Sequence, residues 1–206
     1  MNRLLIALAL VVAISVEANA GAPPPAEMFS KAATVTLYMY EGGERLEVGV
    51  LKDFRTLNAT AVPSSGLTLS AEQAQRVKRA FTVATGDQAV GACFVPRHGF
   101  VFADEKGEVI GTLDVCFECS NYSISAPGYD AQIKPIYARY KKLADKWDEK
   151  LHRKQQAEVN KLRATFNMPP TDAPIDWLGL AKVVNELGMP TEPKPPDYER
   201  LRKTSD

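Results

Sequence analysis

The sequence predicts an α+β fold: an antiparallel sheet containing a cysteine-bearing β-hairpin, one short helix packed on it, and a C-terminal helical extension. Three observations predict it. Runs of β-branched and aromatic residues broken by turn residues fill most of the chain before Pro135. A single capped amphipathic segment interrupts them. From Pro135 onward, apolar residues recur every three or four positions.

Taken in order, residues 1–20 read MNRLLIALALVVAISVEANA. Arg3 supplies a positive start, Leu4 to Val16 an apolar run, and Ala18-Asn19-Ala20 a small-residue processing site, so a secretory signal peptide cleaved after Ala20 is expected. The run is shorter than the roughly 20 residues that a membrane helix needs, and no stable anchor is expected in the mature chain. Residues 21–33, beginning GAPPPAEMF, are expected to be a flexible proline-rich segment. The α+β domain is assigned to residues 34–129. In it, ATVTLYMY and RLEVGVLKDF, joined by EGGE, read as a first β-hairpin, and ATAVPSSGLTL as extended or irregular chain. Ser70, with Gln73 three residues on, makes a capping box for SAEQAQRVKRAF, whose Ala74, Val77 and Phe81 share one face.

The helical extension is assigned to residues 130–190. Ile136, Tyr140, Leu143, Trp147 and Leu151 mark a helix starting at Pro135, either one long helix or two in line. IDWLGLAKVVNELG reads as a second helix, closed by a left-handed Gly188 and stopped by Pro190. Residues 191–206 are proline-rich and charged and are assigned as an extended tail.

The 206 residues carry 25 Lys+Arg and 25 Asp+Glu. This balance argues against a nucleic-acid partner, which usually requires basic excess. The charged face of the long helix mixes both signs and reads as solvated.

The chemistry-bearing residues gather in CFVPRHGFVFADEKGEVIGTLDVCFECSNY, residues 93–122. Glu105-Lys106-Gly107 suits a three-residue hairpin loop with glycine in the left-handed position. A regular ladder would then set Asp104 opposite Glu108, Phe102 opposite Ile110, Phe100 opposite Thr112, His98 opposite Asp114, Pro96 opposite Cys116, and Cys93 opposite Cys119. In that register His98, Asp114 and Cys116 share a face. Pro96 lacks an N–H and is where a bulge is expected.

Four readings follow. The first is a structural disulfide between Cys93 and Cys119, or Cys116 if the strand bulges, because exported thiols tend to oxidise. The second is a Cys3His metal site of Cys93, His98, Cys116 and Cys119, suited to zinc or cuprous copper. The third is a thiol-disulfide oxidoreductase using CFEC, although no helix is expected to follow the motif. The fourth is a thiol triad with Cys116 as nucleophile, His98 as base and Asp114 as orienter.

The same residues resemble a group of uncharacterised secreted bacterial proteins that share a C-(F/Y)-x-P-R-H-(G/A) strand, a turn and a CFxC strand, often with a later helix ending LG(M/I/V)P. Cys93, Pro96, Arg97, His98, Gly99, Cys116, Phe117 and Cys119 carry the first part, and Leu187-Gly188-Met189-Pro190 the second. The resemblance implies an architecture and a recurring site, and no particular reaction. The expectation for function is therefore a secreted or periplasmic, disulfide-stabilised binding protein, not an enzyme, with another exported protein as partner and no cofactor. The Cys3His metal protein and the CFEC oxidoreductase are the alternatives.

Overall fold

A computed structural model describes residues 27–41, 49–80, 94–141, 148–166, 168–171 and 175–203. Residues 1–20 of the expected signal peptide, residues 21–26, Cys93, residues 42–44 of the expected EGGE turn, Phe81, Leu143 and Trp147 lie outside the described residues.

The centre is a five-stranded antiparallel sheet. Its strands are β1 (Thr34–Met39), β4 (Val62–Thr68), β5 (His98–Ala103), β6 (Val109–Cys116) and β7 (Asn121–Ser125), in the order β4-β1-β5-β6-β7. A two-stranded sheet of β2 (Leu51–Lys52) and β3 (Thr56–Leu57) stands apart from it. The α+β class is thus the observed one. The first hairpin is not as expected: β1 is flanked by β4 and β5, and the described end of RLEVGVLKDF pairs with β3 instead. The physical reason is that β1 is buried on alternate residues and needs a neighbour on both edges. ATAVPSSGLTL supplies one of them as β4, with Pro63 on an edge strand whose register shifts beside it.

Alternation divides the sheet into two faces. Val35, Leu37, Met39, Phe100, Phe102, Leu113, Val115 and Ile124 point to the main core. There they meet Phe29 of α1 (Glu27–Ser30), α2 (Ala71–Arg79), α3 (Tyr129–Lys141), α4 (Glu149–Thr165), α5 (Trp177–Glu186) and α6 (Pro195–Lys203). The other face is smaller and holds Tyr40, Val50, Ala61 and Val101 under the β2–β3 segment.

α2 begins at the expected cap. Ser70 Oγ accepts from Gln73 N, and Gln73 Oε1 accepts from Ser70 N at 2.9 Å. Ser70→Ala should lower the unfolding free energy by about 1 kcal/mol in a urea titration, the usual worth of such a cap; an unchanged midpoint would refute the capping role. α2 packs against α5, with Arg76 forked onto Glu186 and Asp176 N donating to Ala80 O at 2.7 Å.

Four C-terminal and N-terminal expectations are corrected. The long helix starts at Tyr129, after Gly128 at φ +82°, so Pro135 lies inside α3 and not in its first turn. α3 and α4 do not run in line: Tyr129 meets Phe166 at 5.4 Å between ring centroids, and Tyr140 donates to Glu158 at 2.9 Å, so the two helices lie antiparallel. Folding back lets Ile133 and Val159 join one core. The tail is not extended: Pro195 opens α6, which buries Tyr198 and Leu201 and packs on β4, while Asp197 Oδ2 accepts from Lys194 N at 2.9 Å. Proline suits a first helical turn, which its abundance obscured. Residues 27–33 of the expected flexible segment are likewise ordered by Phe29, which stacks on Phe102 with centroids 4.7 Å apart. α5 ends as expected, with Gly188 at φ +75°.

Candidate functional site

β5 and β6 form a hairpin around the anticipated turn. Asp104 N donates to Glu108 O, Asp104 Oδ1 accepts from Lys106 N and Glu108 N, and Gly107 sits at φ +81°. Beyond the turn the ladder departs from the regular register. Ala103 pairs with Val109 but Phe102 pairs with Gly111, so Ile110 is an extra residue on β6. His98 then faces Val115, Gly99 faces Asp114, and Phe100 faces Leu113.

The reason is the distribution of apolar bulk. In the regular register Phe100 and Phe102 would lie on the face opposite Leu113 and Val115. One inserted residue gathers all four on the main-core side. The bulge was expected at Pro96; it falls at Ile110. Its consequence for the candidate triad is a separation: His98 lies on the main-core face, and Asp114 and Cys116 on the other.

Asp114 is buried and organises the smaller face. Its Oδ1 accepts from Tyr40 Oη at 2.7 Å and from Val50 N at 2.9 Å. A Cβ placed on Gly49 would stand 2.7 Å from Asp114 Oδ2, and one on Gly99 would stand 2.3 Å from Val50 Cβ. The 49–50 backbone therefore lies directly on the sheet, and two glycines permit the approach. Burial pushes the Asp114 carboxyl up to about 6, against the opposing pull of the Tyr40 and Val50 donors. Burial, and then the neighbouring Asp114, push the Tyr40 phenol well above its ordinary value. Asn58 completes the clasp by donating to Gly49 O at 3.2 Å and accepting from Thr60 N and Oγ1. Tyr40 and the Gly49–Val50 approach were not anticipated. The available signal was an aspartate within an otherwise apolar strand, which must find donors inside the protein.

His98 is fully buried. Its ring meets Phe117 edge-on at 5.3 Å, and among the described residues its nitrogens make no hydrogen bond of standard geometry. Burial lowers its basicity to about 4; the Pro190 carbonyl favours protonation and the Arg97 charge opposes it. His98 and Pro190, far apart in the sequence, come together here.

CFEC forms the turn between β6 and β7. Cys116 ends the strand, Phe117 to Ser120 make the turn, and Ser120 adopts φ +47°. Cys116 is a buried free thiol, and its Sγ lies 2.7 Å from Cys119 Sγ. Cys119 is buried as well. A strand-to-strand turn offers neither cysteine the helix N-terminus that activates the thiol of thioredoxin-like motifs. Among the described residues no group of three potential ligands assembles around a metal position; Cys93, the fourth member of the Cys3His set, is outside them.

Phe117 leads to an aromatic patch. Trp177, at the start of α5, lies 6.1 Å from Phe117 and 6.3 Å from Tyr122 between ring centroids. All three rings are partly exposed, and the adjacent Leu178 is 69% exposed. No helix among the described residues is long and apolar enough to cross a membrane.

No family model, no curated protein and no solved structure matches the chain.

Proposed function

We propose that the mature protein acts outside the cytoplasm as a disulfide-stabilised binding protein for another exported protein. The observation that carries this reading is the group of three partly exposed rings, Phe117, Tyr122 and Trp177, with Leu178, the residue after Trp177, 69% exposed. Aromatic side chains are enriched in interface cores and among the residues that dominate binding energy. The leader-like residues 1–20 support export. Asp114 is engaged by Tyr40 and Val50, and His98 is buried on the opposite face of the sheet from Asp114 and Cys116, which supports binding over catalysis. For the staple, support comes from the tendency of exported thiols to oxidise and from the position of all three cysteines within residues 93–119.

The experiment is a photo-crosslinking residue at position 178 of the exported protein, followed by purification of the captured partner. Leu178→Asp should weaken binding of that purified partner by tenfold or more, roughly 1.4 kcal/mol, with the melting temperature unchanged. Equal affinity of the variant, or no exported protein captured at this position, would overturn the proposal.

A further inference from the structure

We propose that residues 49–58 form a strap that opens and closes as one unit over the sheet, with the Asp114 side chain as its latch. The strap lies on the smaller face and is independent of the aromatic patch, which packs against the main core.

The segment is closed on itself. Among the described residues β2 and β3 pair with each other and with no strand of the five-stranded sheet. Arg55 N donates to Lys52 O at 3.1 Å across the tip. Asn58 ties the two ends together: its N–H donates to Val50 O at 2.9 Å and its Nδ2 to Gly49 O at 3.2 Å. All of these bonds survive if the segment moves as a body.

Its attachment to the sheet is slight by comparison. Among the described residues one hydrogen bond, from Val50 N to Asp114 Oδ1 at 2.9 Å, joins the strap to the five-stranded sheet. Val50 is buried, Leu51 and Leu57 are half-buried, and Lys52, Asp53, Arg55 and Thr56 are exposed. A segment with little buried apolar surface and internally satisfied hydrogen bonds opens at a free energy well below that of global unfolding. Opening breaks the Val50–Asp114 bond and lifts Val50 from Gly99. It uncovers the Asp114 carboxyl and the Tyr40 hydroxyl bonded to it, an acid–phenol pair that the closed strap hides.

The test is amide hydrogen exchange of the folded wild-type protein, followed by NMR. The Val50 and Asn58 amides should share one opening equilibrium. Its constant should exceed by about a hundredfold or more that of Phe100 and Leu113, which pair in the central β5–β6 ladder. Low urea should leave the strap's opening nearly unchanged while promoting that of the ladder, because little surface is exposed when the strap lifts. In Asp114→Ala, protection of Val50 and Asn58 should fall by about a hundredfold, with Phe100 and Leu113 still protected. Val50 and Asn58 exchanging as slowly as the ladder in wild type, through unfolding of the whole chain, overturns the strap. Loss of protection at Val50 without Asn58 overturns its movement as one unit, and unchanged protection in Asp114→Ala overturns the latch.

Discussion

Asp114→Ala should destabilise the protein by about 3 kcal/mol at pH 5. The substitution leaves the buried Tyr40 hydroxyl and Val50 N–H without an acceptor, at about 1–3 kcal/mol each. The pH dependence makes the prediction sharper. The Asp114 carboxyl is held near 6 in the fold against 3.8 when free, so the folded state binds the extra proton. Its stabilising contribution is full below about pH 4 and lost as pH rises through 6, a swing of about 3 kcal/mol. Asp114→Asn keeps an acceptor oxygen and does not titrate. It should cost little near pH 4, gain on wild type as pH rises from about 4 to 6, and keep that gain above 6. His98 works in the opposite direction. Held near 4 in the fold against 6.5 when free, it stabilises above pH 6.5 and its contribution is lost as pH falls towards 4. In wild type the two slopes largely cancel between pH 4 and 6.5; in Asp114→Asn the His98 slope should stand alone, rising with pH. Urea titrations at a series of pH values check this. A pH-independent loss for Asp114→Ala, or an Asp114→Asn curve parallel to wild type, would refute the role assigned to the carboxyl.

Gly99→Ala should cost a further similar amount, about 3 kcal/mol, at the upper end of what overpacking does. Its Cβ would stand 2.3 Å from Val50 Cβ and 2.7 Å from both Val50 methyls. Val50 cannot give way without lifting its N–H from Asp114 Oδ1. The two sites are therefore coupled, and a double-mutant cycle measures the coupling. In an Asp114→Ala background, where the clasp is already lost, Gly99→Ala should cost markedly less. Strict additivity would show that Gly99 and Asp114 do not act through the same segment.

Local signals in the sequence translate directly into local structure. Ser70 with Gln73, Glu105-Lys106-Gly107, and Gly188 before Pro190 each specify a cap or turn through their own side-chain or backbone chemistry, and each appears at its place. Partner choice over distance was less legible. Nothing near ATVTLYMY states that it will lie between β4 and β5, because that follows from burying both of its edges. The tail illustrates the same limit: Tyr198 and Leu201 form a helix face only when β4 is there to receive them. The candidate site depended on one residue of register. Alternation along each strand was readable, but the extra residue at Ile110 is selected by the joint packing of Phe100, Phe102, Leu113 and Val115. That single step turns an apparent Cys116–His98–Asp114 constellation into a core histidine on one face and a loop clasp on the other.

An NMR titration of the His98 imidazole tests this separation most directly. The account predicts that His98 stays neutral until about pH 4 and that Asp114→Asn leaves its midpoint in place, because the two side chains lie on opposite faces of the sheet. A midpoint near 6–7 that falls by about one unit or more in Asp114→Asn would be the behaviour of a histidine paired with that carboxylate, and would contradict the account.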